Sequence, residues 1–132
     1  MIDETVIKQL GDELFEALQS STSLAPLTER YPDITIEQAY QISLQFLQRR
    51  EAAGQKLIGK KIGVTSKAVQ DMLNVHQPDF GFLTDAMQVA DGSAVSKAEH
   101  CLVQPRAEGE IAFILKADLN GPGITASDVL AA

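Results

Sequence analysis

Between residues 5 and 20, Val6, Ile7, Leu10, Leu14, Ala17 and Leu18 recur at three- and four-residue intervals with Asp12, Glu13 and Glu16 between them. That spacing predicts an amphipathic helix. Ser20-Ser21-Thr22-Ser23 and Pro26 end it, and Tyr31-Pro32-Asp33 forms a further turn. Thr35 followed three positions later by Gln38 has the form of a capping box, so a second helix is expected from Ile36 to about Ala53. Its apolar face reads as Ile36, Tyr40, Ser43/Leu44 and Leu47, with Gly54 placed to close it in a left-handed conformation.

Beyond Gly54 the period changes. Leu57-Ile58-Gly59-Lys60-Lys61-Ile62-Gly63-Val64 is a short apolar segment punctuated by glycines, which suits a strand approached closely by other backbone. Thr65 or Ser66 then caps a short helix carrying Ala68, Val69, Met72 and Leu73. Val75 to Gly81 has turn chemistry and reads as an ordered loop. Cys101-Leu102-Val103 and Glu108 to Leu115 are predicted strands, and Thr125 caps a final helix through Asp128. These elements predict an α/β domain in which N-terminal helices pack beside a mixed β-sheet. Residues 1–56 are mainly helical, and 57–132 mix strand and helix. The last helix has scarcely begun when the sequence stops at Ala132, so the fold is expected to be truncated.

Composition narrows the function classes. The chain has 132 residues, 45% of them hydrophobic and 22% charged, which fits one domain and argues against disorder. Eleven basic against eighteen acidic residues leave a net charge of −7, which repels nucleic acid and anionic membrane surfaces. The single Cys101 forms no intrachain disulfide, Asp3 and Glu4 stand where a secretory signal is basic, and the Ile111–Leu115 run is too short to span a bilayer. A cytoplasmic protein without a transmembrane segment is the expectation.

Strand alternation would put Gln104, Arg106, Glu108 and Glu110 on one face and Ile111, Phe113 and Leu115 on the other. Two carboxylates about 7 Å apart on a buried strand require a counter-charge. Oxygen donors with no Cys or His beside them favour Mg²⁺ or Mn²⁺ over Zn²⁺. The same spacing also suits the solvated face of an edge strand, with Arg106 as a screened partner. Gly54 to Lys60 matches the start of a phosphate-binding loop. The position that must be Ser or Thr is Lys61, and a helix precedes the motif where a strand is required, so no nucleotide site is assigned.

Six of the eleven basic residues fall between Arg49 and Lys67, mostly explained as a solvated helix end and loop. Lys61 differs because it lies within the strand-like segment, where burial would lower its pKa toward a catalytic range. Asp79, between Pro78 and Phe80-Gly81, suits either a base that orients a lysine or a plain turn. His76, His100 and Cys101 receive no role, Cys101 reading as a small buried hydrophobe.

Three strings in order, Ile58-Gly-Lys-Lys-Ile-Gly-Val-Thr-Ser66, Val75-His-Gln-Pro-Asp-Phe-Gly81 and Gln104-Pro-Arg-Ala-Glu-Gly-Glu-Ile-Ala-Phe113, resemble the 2-hydroxypenta-2,4-dienoate hydratases of aromatic meta-cleavage catabolism, within the fumarylacetoacetate hydrolase superfamily. Members of that family are longer, so the chain resembles an N-terminal half. The resemblance implies that Glu108 and Glu110 ligate Mg²⁺ or Mn²⁺, that a third carboxylate ligand lies elsewhere, and that Lys61 and Asp79 are the catalytic pair. It implies a hydro-lyase in which the metal stabilises an enolate of a small 2-oxo or 2-hydroxy dienoate substrate. It also implies a homo-oligomer associated with the decarboxylase of the same pathway. Two alternatives stand beside it: the sister 2-oxo-3-hexenedioate (4-oxalocrotonate) decarboxylase, and a non-catalytic half that self-associates.

Overall fold

The computed structural model describes residues 2–132. Its elements are helices α1 (Glu4–Gln19), α2 (Leu27–Arg30) and α3 (Ile36–Ala52), strand β1 (Leu57–Gly63), helix α4 (Lys67–Leu73), strand β2 (Asp79–Thr84), a 3₁₀ turn at Asp85–Met87, and helix α5 (Ala126–Ala131). Helices packed beside a small sheet is the predicted class. The sheet is a two-stranded antiparallel ribbon of β1 and β2.

Side-chain caps fix where the helices begin. The Asp3 carboxylate accepts from the Val6 N–H and starts α1. Thr35 and Gln38 form the predicted capping box of α3, Ser66 caps α4, and Thr125 with Asp128 makes a second capping box on α5. The short α2, begun after Pro26, lies in a stretch where the sequence suggested only turns.

Helices α1 and α3 form the main hydrophobic contact. Their contacts advance together, Ile2 with Gln38, Gly11 with Ile42 and Gln45, and Phe15 with Arg49, so the two helices run in the same direction. Leu10 and Ile42, each 1% exposed, are the centre of this seam, with Leu47 also buried. The buried stripe of α3 is therefore Gln38, Ile42, Leu47 and Arg50, and Ile36 and Leu44 of the predicted face are exposed. The reason is polar. Gln38 donates to the Ile2 carbonyl at 2.8 Å and Gln45 to Asp12 at 2.7 Å, so amides turn inward where a purely apolar stripe was read. The hydrogen bond from Gln45, together with Arg49, holds the Asp12 carboxyl below its ordinary pKa.

Gly11 lets the two helices meet. A β-carbon there would lie 2.5 Å from Gln45 Cβ and 3.0 Å from the Ile42 carbonyl oxygen. In an open helix, Gly→Ala gains roughly 1 kcal/mol. Here overpacking reverses the sign, and Gly11→Ala is expected to destabilise the fold by about 1–3 kcal/mol, read as a lower urea midpoint.

Two sequence expectations fail downstream. Residues 79–84 are a strand, although Pro78-Asp79 and Gly81 carry turn chemistry. β2 exists because β1 is there to pair with it, and pairing outweighs local propensity. Conversely, the predicted strands at Cys101–Val103 and Glu108–Leu115 are irregular. A strand requires hydrogen-bonding partners, and among the described residues no segment pairs with either. Ile111, Phe113 and Ile114 are 83%, 76% and 98% exposed in consequence. Cys101 sits in a turn at φ 52°, only partly buried. No helix among the described residues is long and apolar enough to cross a membrane.

Candidate functional site

The β1–β2 register pairs Lys61 with Gly81 and Gly63 with Asp79. Because side chains alternate along a strand, Gly59, Lys61 and Gly63 share a face with Leu83, Gly81 and Asp79. Lys61 and Asp79 are thus diagonal neighbours, a separation a lysine stem can span. A β-carbon at Gly81 would lie 3.0 Å from Lys61 Cγ and 3.4 Å from Cδ, so the stem lies across the bare Gly81 backbone. A β-carbon at Gly63 would collide with Asp79 Oδ1 and stand 3.1 Å from Lys61 Nζ. The ammonium and the carboxylate therefore converge above Gly63. They do so without an ion pair, unlike Glu13–Arg30, Asp12–Arg49 and Lys67–Asp71.

Lys61 and Asp79 are exposed on the open face of the ribbon, so the expected burial of Lys61 is not found. A two-stranded ribbon covers only what packs against it. An ammonium, donor only, and a carboxylate, acceptor only, held side by side and not spent on each other, can address a third molecule with both functions.

The ribbon is tied to α3 near both of its ends. The Tyr40 hydroxyl accepts from the Phe80 N–H at 3.2 Å, and the two rings lie 6.3 Å apart. At the opposite end Thr84 is fully buried. Its hydroxyl donates to Gln55 Oε1 at 2.8 Å and accepts from Arg50 Nη2 at 3.1 Å, while Arg50 Nε donates to Gln55 at 2.7 Å. Burial lowers the pKa of the Arg50 guanidinium from its ordinary value. The Asp85 N–H donates to the Lys56 carbonyl and the Lys56 N–H to the Asp85 carboxylate, each at 2.9 Å, which closes this end.

After Gly63 the chain leaves the strand through Val64 at φ 55°, a left-handed conformation costly for a β-branched residue. Gln70 Nε2 holds the Val64 carbonyl at 2.9 Å. Sequence reasoning missed Tyr40, Arg50, Gln55 and Thr84 as supports of the site. The legible signal was the glycine spacing at 59, 63 and 81, which marks a face open to close approach.

Glu108 and Glu110 lie outside the β1–β2 ribbon that carries this pair. Both are exposed in the irregular segment 104–115, as is Arg106, so the predicted strand face that would align the carboxylates is absent from the described chain. The donor chemistry still fits a hard divalent cation: two carboxylates flank Gly109, which has open space around it. Among the described residues no group of three or more His, Cys, Asp or Glu side chains that could hold a metal ion forms.

The sequence is 64% identical to the 2-hydroxyhexa-2,4-dienoate hydratase of Comamonas testosteroni, over all of this chain and 50% of that protein. It is 63% identical to the 2-hydroxypent-2,4-dienoate hydratase of Pseudomonas putida, over 99% of this chain and 59% of that one. The 4-oxalocrotonate decarboxylase of Pseudomonas sp. (strain CF600) is 42% identical over 93% of this chain and 46% of its own length. The chain thus spans about half the length of the relatives it matches. No family model matches. Among solved structures, the 4-oxalocrotonate decarboxylase from Pseudomonas putida G7, complexed with magnesium and adipate, superposes with a TM-score of 0.72 at 28% identity, covering 75% of this chain and 38% of that one. The same enzyme complexed with calcium and acetate gives the same figures.

Proposed function

This chain is similar along its whole length to the 2-hydroxydienoate hydratases, and we propose that it is the portion of such an enzyme that carries the proton-transfer pair. The reaction is addition of water to 2-hydroxypenta-2,4-dienoate to give 4-hydroxy-2-oxopentanoate. The observation that carries this reading is the convergence of Lys61 and Asp79 above Gly63, in a chain that is 63–64% identical to such hydratases along its length.

In this reading the dienol loses its hydroxyl proton as C5 gains one, giving a conjugated 2-oxo-3-enoate. Water then adds at C4, and a proton is delivered to C3. Each step moves a proton at a site where one group gives and another takes. Asp79, an acceptor, takes the proton of the attacking water, and Lys61, a donor, holds the developing oxygen charge and returns a proton to carbon. A divalent cation held by Glu108 and Glu110, Mg²⁺ or Mn²⁺ by their oxygen chemistry, supplies Lewis-acid stabilisation of the enolate when bound. A third ligand comes from outside this chain. A homo-oligomer in the cytoplasm, associated with the decarboxylase of the same pathway, belongs to the same proposal.

The decarboxylase relatives supply the second reading. A protein of the relatives' full length carrying this chain, given 2-hydroxypenta-2,4-dienoate and Mg²⁺, is expected to consume the dienol absorbance and form a product heavier by one water. Loss of carbon dioxide from 2-oxo-3-hexenedioate, with no hydration of the dienoate, would assign the decarboxylase reaction instead.

A further inference from the structure

We propose that Gly63 and Gly81 are positioning residues, which fix where the Lys61 ammonium and the Asp79 carboxylate stand by offering no β-carbon at two diagonal points on one face of the ribbon. The inference rests on the reading of Lys61 and Asp79 as the proton-transfer pair. Its basis is a difference among three glycines of one face. At Gly59 a β-carbon would meet only Leu83, at 3.8 Å and 3.9 Å, an ordinary contact. At Gly81 it would press on the Lys61 stem at 3.0 Å, and at Gly63 it would take the space Asp79 Oδ1 occupies and crowd Lys61 Nζ at 3.1 Å.

The atoms crowded at Gly63 are the ends of flexible, exposed side chains, and those at Gly81 belong to a flexible stem. An alanine at Gly63 therefore leaves the strand intact and displaces the Asp79 carboxylate and the Lys61 ammonium, whereas one at Gly81 shifts the Lys61 stem by a few tenths of an ångström. The backbone around them does not yield as easily. Tyr40 secures β2 at Phe80, between Asp79 and Gly81, and Gln70 secures the carbonyl of Val64 next to Gly63. With the frame held, the side chains move, and displacement of a reacting group by about 1 Å costs on the order of 10²-fold in rate.

Gly59→Ala, Gly63→Ala and Gly81→Ala in the full-length protein provide the test, together with nuclear Overhauser contacts in the unmodified protein. The expected contacts join the Lys61 γ and δ protons to the Gly81 α protons. Gly59→Ala keeps kcat within about twofold, while Gly63→Ala lowers kcat by roughly 10²-fold and Gly81→Ala by a smaller factor of about 5- to 10-fold, each with KM within about threefold. All three melt within about 3 °C of the parent. Absence of those contacts, equal kcat for Gly59→Ala and Gly63→Ala, or a kcat loss that comes with a melting temperature lowered by about 10 °C or more overturns the positioning role. If the contacts are present and the parent hydrates no dienoate, the proposed function fails while the geometry stands.

Discussion

Lys61→Ala in the full-length protein is expected to lower kcat by about 10²- to 10⁴-fold, the range that a positioned proton-transfer group contributes. Divalent-metal affinity should stay within about twofold of the parent, because an ammonium is a donor and ligates no cation. The folded state should be spared as well. Lys61 is exposed and makes no ion pair, and its stem crosses a glycine, so truncation opens no cavity. Steady-state turnover, calorimetric titration with Mg²⁺ and thermal unfolding, run on one preparation, separate these effects. A loss of metal binding equal to the loss of turnover would move Lys61 from the chemistry to the framework. Unchanged turnover would remove it from the site.

The second large effect concerns the carboxylates. Glu108→Gln and Glu110→Gln should each weaken Mg²⁺ binding by roughly 10- to 100-fold in the full-length protein, since each removes one anionic oxygen ligand from a hard cation. Turnover at low Mg²⁺ should fall in parallel and recover in part as Mg²⁺ is raised. The 132-residue chain itself should bind Mg²⁺ weakly, because two carboxylates on an irregular, exposed segment leave most of the coordination sphere to water. Calorimetry on the two lengths decides this. Equal affinities would mean that nothing outside residues 1–132 contributes a ligand.

The contrast between the two halves of the site shows what a sequence carries by itself. Helix starts were legible because their causes are local: Thr35 with Gln38 and Thr125 with Asp128 lie three residues apart and cap their helices as the spacing required. The buried stripe of α3 departs from its apolar pattern because Gln38 and Arg50 are buried by partners distant in sequence, Ile2 and Thr84. Pro78, Asp79 and Gly81 favour turns, so the local sequence of β2 suggests a loop, and only the facing β1 makes the segment extended. The alternation from Gln104 to Leu115 is a real period-two pattern, yet a period does not create a strand without a neighbour to accept its hydrogen bonds. Lys61 and Asp79 stand out by their local context, and the motif resemblance makes them a pair. Their convergence depends on register, which no local pattern near either residue determines.

If Lys61, Asp79, Glu108 and Glu110 act on one metal-chelated substrate, a crystal structure of the full-length protein with Mn²⁺ and a non-reactive 2-oxo carboxylate will show all four around the bound acid. In that structure residues 104–115 are expected in a paired strand, with both glutamates on the Mn²⁺ and the Lys61 ammonium and Asp79 carboxylate within hydrogen-bonding reach of the bound acid. Mn²⁺ held by other residues, or a bound acid facing away from the Lys61–Asp79 side of the ribbon, would contradict this reading.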